Sequence, residues 1–259
     1  HQSPSSITRG VQAAEMALGT PLFERGSRGM APTEAARLLS LRVERAQRAL
    51  QGAADGLRQH GAPAAVSALP RLVNDTLLQA LVARAEHPSE SAAAMRLGLS
   101  QPALHQSLRR LEHLARVPLF ERTRAGTRLT EAGRWMLQHT RLALAEIRIG
   151  HEELARRRGL GRGHVVIGVL PMAGDVLVPR AVSLALRADP GLSLTVKDGT
   201  YESLCLMLRS AEVDFIVGPL RQQAVATDLA EETLFVDRFV AVARQGHPLL
   251  RRRGKATLR

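Results

Sequence analysis

A single cysteine, Cys205, stands in 259 residues. That rules out an internal disulfide and a cysteine-cluster metal site. Aromatic residues make up 3% of the chain, which argues against stacking on unpaired bases as the main mode of binding. The longest apolar run, around Val165–Ala173, falls well short of the roughly 20 residues a membrane helix needs. HExxH, GxSxG, CxxC and a glycine-rich phosphate loop are all missing, and the nine histidines are scattered. An enzyme is therefore not expected, nor is a bound metal or cofactor. The first residues lack a charged-then-apolar leader pattern, so a cytoplasmic location is expected. Lysine is nearly absent, with Lys197 and Lys255 against 34 arginines.

What is present is positive charge, unevenly placed. The formal net charge is +12. Residues 1–60 carry eight arginines against five acids, and residues 61–163 carry sixteen against nine. Residues 164–250 carry seven basic and ten acidic side chains, and the last nine residues add five basic ones. A basic front and a mildly acidic back point to a polyanionic partner for the front. Compositional bias explains arginine over lysine but not this placement. At roughly 100–200 residues per domain, the length allows two or three domains.

The chain repeats itself. PLFER occupies residues 21–25 and again 118–122, an offset of 97. In the same register Ser3 matches Ser100, Glu15 matches Glu112, and Gly29 matches Gly126. Thr33-Glu34-Ala35 matches Thr130-Glu131-Ala132, and Arg37 matches Arg134. Two copies at this spacing indicate a duplicated domain rather than a solenoid.

The second copy reads as helices and a hairpin. Residues 75–86 place Leu77, Leu78, Leu81, Val82 and Ala85 on one helical face. Ser89 caps a short helix over 90–96, with Ala92, Ala93 and Met95 facing inward. Gly98 breaks it in the left-handed conformation that suits glycine. Ser100 caps the next helix and Pro102 sits in its first turn. Leu104, Leu108 and Leu111 face inward there, whereas His105, Gln106, Arg109 and Arg110 fall largely on the other side. VPLFER and Arg128–Leu129 form a two-stranded wing around RAGTR, and Thr130 caps a long helix to about Arg158. The second helix of such a pair fits a major groove about 12 Å wide. Arg122, Arg124 and Arg128 suit the neighbouring phosphates.

The run GLSQPALHQSLRRLEHLARVPLFERTRAGTRLTEAG resembles the winged helix-turn-helix of LysR-type transcriptional regulators. The resemblance implies Ser100 towards phosphate, Gln101 towards a base and Pro102 setting the helix entry. His105 and Gln106 depart from the family's usual residues. In the first copy Pro4 takes the Gln101 slot, and Thr8 and Arg9 take those of His105 and Gln106. Ser5, Thr8, Arg9, Arg25 and Arg28 are the corresponding DNA-binding candidates. This copy starts at the equivalent of the Gly98 turn, so a piece of a longer protein is expected.

Residues 34–59 and 131–158 are long amphipathic helices whose apolar stripe exceeds what one small winged domain can bury. Pairing between two chains, or between the two copies, would cover it. A homo-oligomer through these linker helices is expected. Pro63 and Pro70 bracket an Ala-rich connector. From His164 the order is strand, helix, strand, helix, strand, followed by two further strands over 229–237 and 238–248. The expected sheet is parallel, with ligands beyond the strand carboxyl ends. GHVVIGVLP, DGTYESL, VDFIVGPLR and FVAVARQGHPL resemble the family's periplasmic-binding-protein-like effector domain, with a galactose-binding-regulator-like branch as candidate subgroup. The resemblance implies effector contacts from Pro171, Met172, Ala173, Gly174, Thr200, Tyr201, Gly218 and Pro219.

The expected fold is mixed α and α/β. Residues 1–60 form a partial first winged helix-turn-helix with its linker helix, and 61–73 a connector. Residues 74–160 form the second winged unit with its linker, and 161–259 the first subdomain of a truncated effector-binding domain. Expected partners are double-stranded DNA, a small-molecule effector and a second copy, without a membrane. A solute-binding protein, or a module in which not every winged copy reads DNA, is the alternative.

Overall fold

The computed structural model describes residues 4–26, 29–124, 126–160, 163–171, 173–220, 228–236, 242 and 244–248. The chain divides into two units, residues 1–218 and 219–259. The first unit opens with α1 (Pro4–Leu18), the strands β1 (Phe23–Gly26) and β2 (Gly29–Pro32), and the 26-residue α2 (Glu34–Gln59). A 3-10 turn (Ala64–Ala68) and the short α3 (Leu69–Leu72) follow. Then come α4 (Asp75–Glu86), α5 (Glu90–Leu97), α6 (Gln101–Ala115), β3 (Phe120–Thr123), β4 (Gly126–Leu129) and α7 (Glu131–Arg157).

Local chemistry sets these boundaries. The side chains of Asn74, Ser89 and Ser100 accept from the N–H of Leu77, Ala92 and Ala103 at 3.1, 3.2 and 3.3 Å. Each satisfies a donor orphaned at a helix start. Gly98 ends α5 at φ 65°, the left-handed region. On α5 the expectation fails at one residue: Met95 is 79% exposed and Ala94 is buried instead. Ala93 and Ala94 face Leu104 and Leu108, and methyl groups suffice to fill that narrow gap.

The repeated residues build one joint, twice. Glu15 Oε1 accepts from the N–H of Leu22 at 2.7 Å, and Glu112 Oε1 from that of Leu119 at 2.9 Å. Thr33 Oγ1 donates to the Pro21 carbonyl at 3.0 Å, and Thr130 Oγ1 to that of Pro118 at 2.8 Å. Both threonines also cap the helix that follows, accepting from Ala36 and Gly133. The antiparallel ladders share one register, Phe23↔Pro32 to Gly26↔Gly29 and Phe120↔Leu129 to Thr123↔Gly126. Gly29 and Gly126 turn these hairpins at φ 108° and 113°, which a side chain would resist.

The two long helices, α2 and α7, pair antiparallel within the chain. Glu34 is ion-paired to Arg157 at one end. Arg42 donates to Glu153 at 3.0 Å and to Glu146 at 2.9 Å further along. At the other end Trp135 Nε1 donates to the Gly52 carbonyl at 3.1 Å. Of the two ways to cover the apolar stripe, the structure uses the one between copies, so this surface is already taken. The connector adds to the same core: Val66 is fully buried and Leu69 is 1% exposed, beneath α2 and α6.

The rest of the first unit is α/β: β5 (His164–Val169), α8 (Leu177–Ala188), β6 (Ser193–Asp198), α9 (Tyr201–Arg209) and β7 (Phe215–Val217). The sheet is parallel in the order β6-β5-β7, so each helix is a crossover. Asp214 accepts from Val166 N–H at 2.7 Å and holds the start of β7 against β5. In the second unit, residues 228–236 carry no strand, contrary to the reading of 229–237. Phe235 and Val236 are 59% and 87% exposed, so the apolar residues that suggested a strand are left uncovered. Of the last expected strand, residues 244–248 form a turn, and 238–241 lie outside the described residues. No helix among the described residues is long and apolar enough to cross a membrane.

Candidate nucleic-acid interface

Helix α6 buries Leu104, Leu108 and Leu111 and turns its other face outward. That face exposes Gln101, Pro102, His105, Gln106, Arg109 and Arg110 along three turns. Ser100 Oγ accepts from Ala103 N–H, and its own proton stays available for a phosphate oxygen. His105 Nδ1 lies 3.1 Å from Glu90 Oε2 on α5. An acid therefore sits beside the middle of the face, a feature the helix-by-helix reading missed. Arg109 reaches Glu112 only at 3.7 Å, with its side chain 72% exposed.

The wing stands beside this face. Arg122 and Arg124 are exposed and make no ion pair among the described residues. Arg128 Nε donates to Glu121 Oε1 at 2.7 Å. The two are direct ladder partners, so a strict hairpin register written out in sequence would have found the pair. Arg128 thus meets a phosphate only by sharing or releasing Glu121. Arg84 of α4 ties that helix to the wing: it lies 5.7 Å from the Phe120 ring centroid and donates to the His87 carbonyl at 3.0 Å.

The first copy presents a thinner version. Ser5, Thr8 and Arg9 lie on the exposed face of α1, where Arg9 Nε reaches the Ser5 carbonyl at 3.4 Å. Arg25 lies on β1, and Arg28 falls outside the described residues. Gln12 and Ala13 stand where the second copy has Arg109 and Arg110, so this face carries less charge.

The remaining candidates gather where the parallel strands end, since Val169 pairs with both Asp198 and Val217. Pro171 is exposed, Ala173 buried and Gly174 half-buried after β5, and Met172 lies outside the described residues. Thr200 caps α9, accepting from Ser203 N–H at 3.2 Å, with Tyr201 half-buried behind it. Its hydroxyl is therefore a helix cap first and an anion donor second. Gly218 follows β7 and closes the first unit, and Pro219 belongs to the other.

The model of the bacterial regulatory helix-turn-helix protein, lysR family, matches residues 1–37 and 76–134. That of the LysR substrate binding domain matches residues 158–259. The HTH-type transcriptional regulator GalR of Pseudomonas putida is 33% identical over 250 residues, 96% of this chain and 62% of that protein. The HTH-type transcriptional regulator YdcI of Escherichia coli is 33% identical over 173 residues, 67% of this chain and 56% of that protein. The chain thus spans less than two thirds of the length of these relatives. Among solved structures, full-length OxyR from Pseudomonas aeruginosa aligns at a TM-score of 0.46 and 24% identity, over 58% of this chain and 50% of that one. These matches together cover most of the sequence, and the chain belongs to the LysR family of bacterial regulators.

Proposed function

We propose that the chain is a sequence-specific DNA-binding transcriptional regulator whose α/β part senses a small-molecule effector. Residues 1–60 and 74–160 are the two winged units with their linker helices, 61–73 joins them, and 161–259 belongs to the effector-binding part. The observation that carries the reading is the outward face of α6 beside the unpaired wing cations Arg122 and Arg124. The relatives' names as transcriptional regulators support it. Gln101 and Gln106 read base edges, and Ser100, Arg109, Arg122, Arg124 and Arg128 meet phosphates. Pro171–Gly174, Thr200, Tyr201 and Gly218 form the effector edge. The protein works in the cytoplasm and acts by binding rather than by catalysis.

Fluorescence anisotropy with duplex DNA across a salt series tests this. Affinity falls by about 0.9 log units per log unit of salt for each phosphate contact. Arg124→Ala weakens all sequences alike and lowers that slope by about one. Gln101→Ala costs about 1–3 kcal/mol on the best site and relaxes its sequence preference. Salt-independent binding, or a preference untouched by Gln101→Ala, would refute the assignment.

A further inference from the structure

We propose that one chain, without a second copy, forms both halves of the DNA reader and selects a site whose two halves differ in sequence. The inference rests on the DNA-binding reading above. The α2–α7 pair has the symmetry of a two-fold dimer made inside one polypeptide. Its ion-pair register sets Ala46 opposite Ala143, equivalent residues at the 97-residue offset and 6% and 2% exposed. Leu57 and Leu154 are equivalent as well, and each seats the other copy's head. Leu57, fully buried, shares a core with Leu111, Ala115 and Leu119. Leu154, 3% exposed, shares one with Leu18 and Leu22.

The heads therefore lie at opposite ends of the helix pair. From Glu34 to Leu57 is 23 residues, about 35 Å at ~1.5 Å per residue. That matches the roughly 34–36 Å between half-sites one duplex turn apart. A two-fold protein matches a two-fold site, but here the halves are unlike. One reader presents Thr8 and Arg9 where the other presents His105 and Gln106, and Pro4 replaces Gln101. An unlike pair locked in one orientation selects an unlike pair of half-sites.

The test is selection from a random duplex library with the full chain, followed by native mass spectrometry of the complex. The expected result is one chain per duplex and two unlike half-sites about 10 base pairs, or a multiple of that, between centres. Arg9→Ala relaxes one half and Gln101→Ala the other, each by about 5- to 150-fold. Five base pairs inserted between the halves put them on opposite sides of the duplex, and affinity drops by about 100-fold or more. Two chains on a palindrome, both variants relaxing the same half, or indifference to the insertion overturns this inference and leaves DNA reading intact. Loss of all sequence-selective binding overturns both.

Discussion

Glu112 shows how one side chain joins α6 to the hairpin that follows it. It sits on α6, four-fifths buried, and its Oε1 accepts from the N–H of Leu119 at 2.9 Å and of Phe120 at 3.2 Å. Without it, two strand-leading N–H groups lose their acceptor, one of them on the fully buried Leu119. Glu112→Ala is expected to cost about 1–3 kcal/mol in urea unfolding, the range for a stranded buried donor. Arg109→Ala removes only the loose 3.7 Å contact and should stay within about 0.5 kcal/mol. Equal losses in the two variants would mean the carboxylate acts through Arg109 rather than through the backbone. The pairing of Glu15 with Glu112 was legible as a repeat. Its purpose was not, because the N–H groups it serves lie seven and eight residues away across a turn.

Where α2 meets α7, absent side chains matter as much as present ones. A Cβ on Gly56 would fall 1.8 Å from Nε1 of Trp135, and one on Gly52 would fall 2.7 Å from Cε1 of His139. Alanine gains about 1 kcal/mol over glycine in a helix interior. Overpacking against an indole already hydrogen-bonded to Gly52 costs about 1–3 kcal/mol. Gly56→Ala should therefore destabilise, and Trp135→Ala in the same chain should relieve much of that loss. Gly10→Ala, in α1 with open space around it, should gain about 0.5–1 kcal/mol. Thermal melts of the three variants check the signs; a more stable Gly56→Ala would show that the indole moves aside freely.

The same seam links the stability of the paired copies to pH. Both ring nitrogens of His139 are buried with no hydrogen-bond partner of good geometry among the described residues. Burial lowers the imidazole pKa below its ordinary 6.5, with the Ala49 backbone pulling less strongly the other way. The unfolded chain therefore binds the proton more readily than the folded one. The contribution of this group to stability is complete above about pH 6.5 and is lost as pH falls towards and through the folded value. Urea midpoints should drop between pH 7.5 and 5.5, and His139→Gln should flatten that dependence. An unchanged slope in the variant would place the responsible proton elsewhere. Arg141 extends the framework, pairing with Glu86 on α4 at 3.0 Å and with Glu212 before β7. Helix α7 thus touches both α4 and the α/β part.

The sequence alone determined the local pieces, since caps, the Gly98 turn, the apolar periodicities and the parallel α/β order depend on residues a few positions apart. It also determined the duplication, and with it the outward faces of α1 and α6. It could not choose the partner of each linker helix. An amphipathic stripe states that a face must be covered, and pairing between chains or between copies would serve equally. Tertiary structure made that choice through contacts over a hundred residues apart, such as Arg42 with Glu146 and Glu153. It also moved Met95 outward and placed Glu90 beside His105. Those placements depend on how neighbouring elements pack, and side-chain periodicity within a single helix or strand carries no record of that.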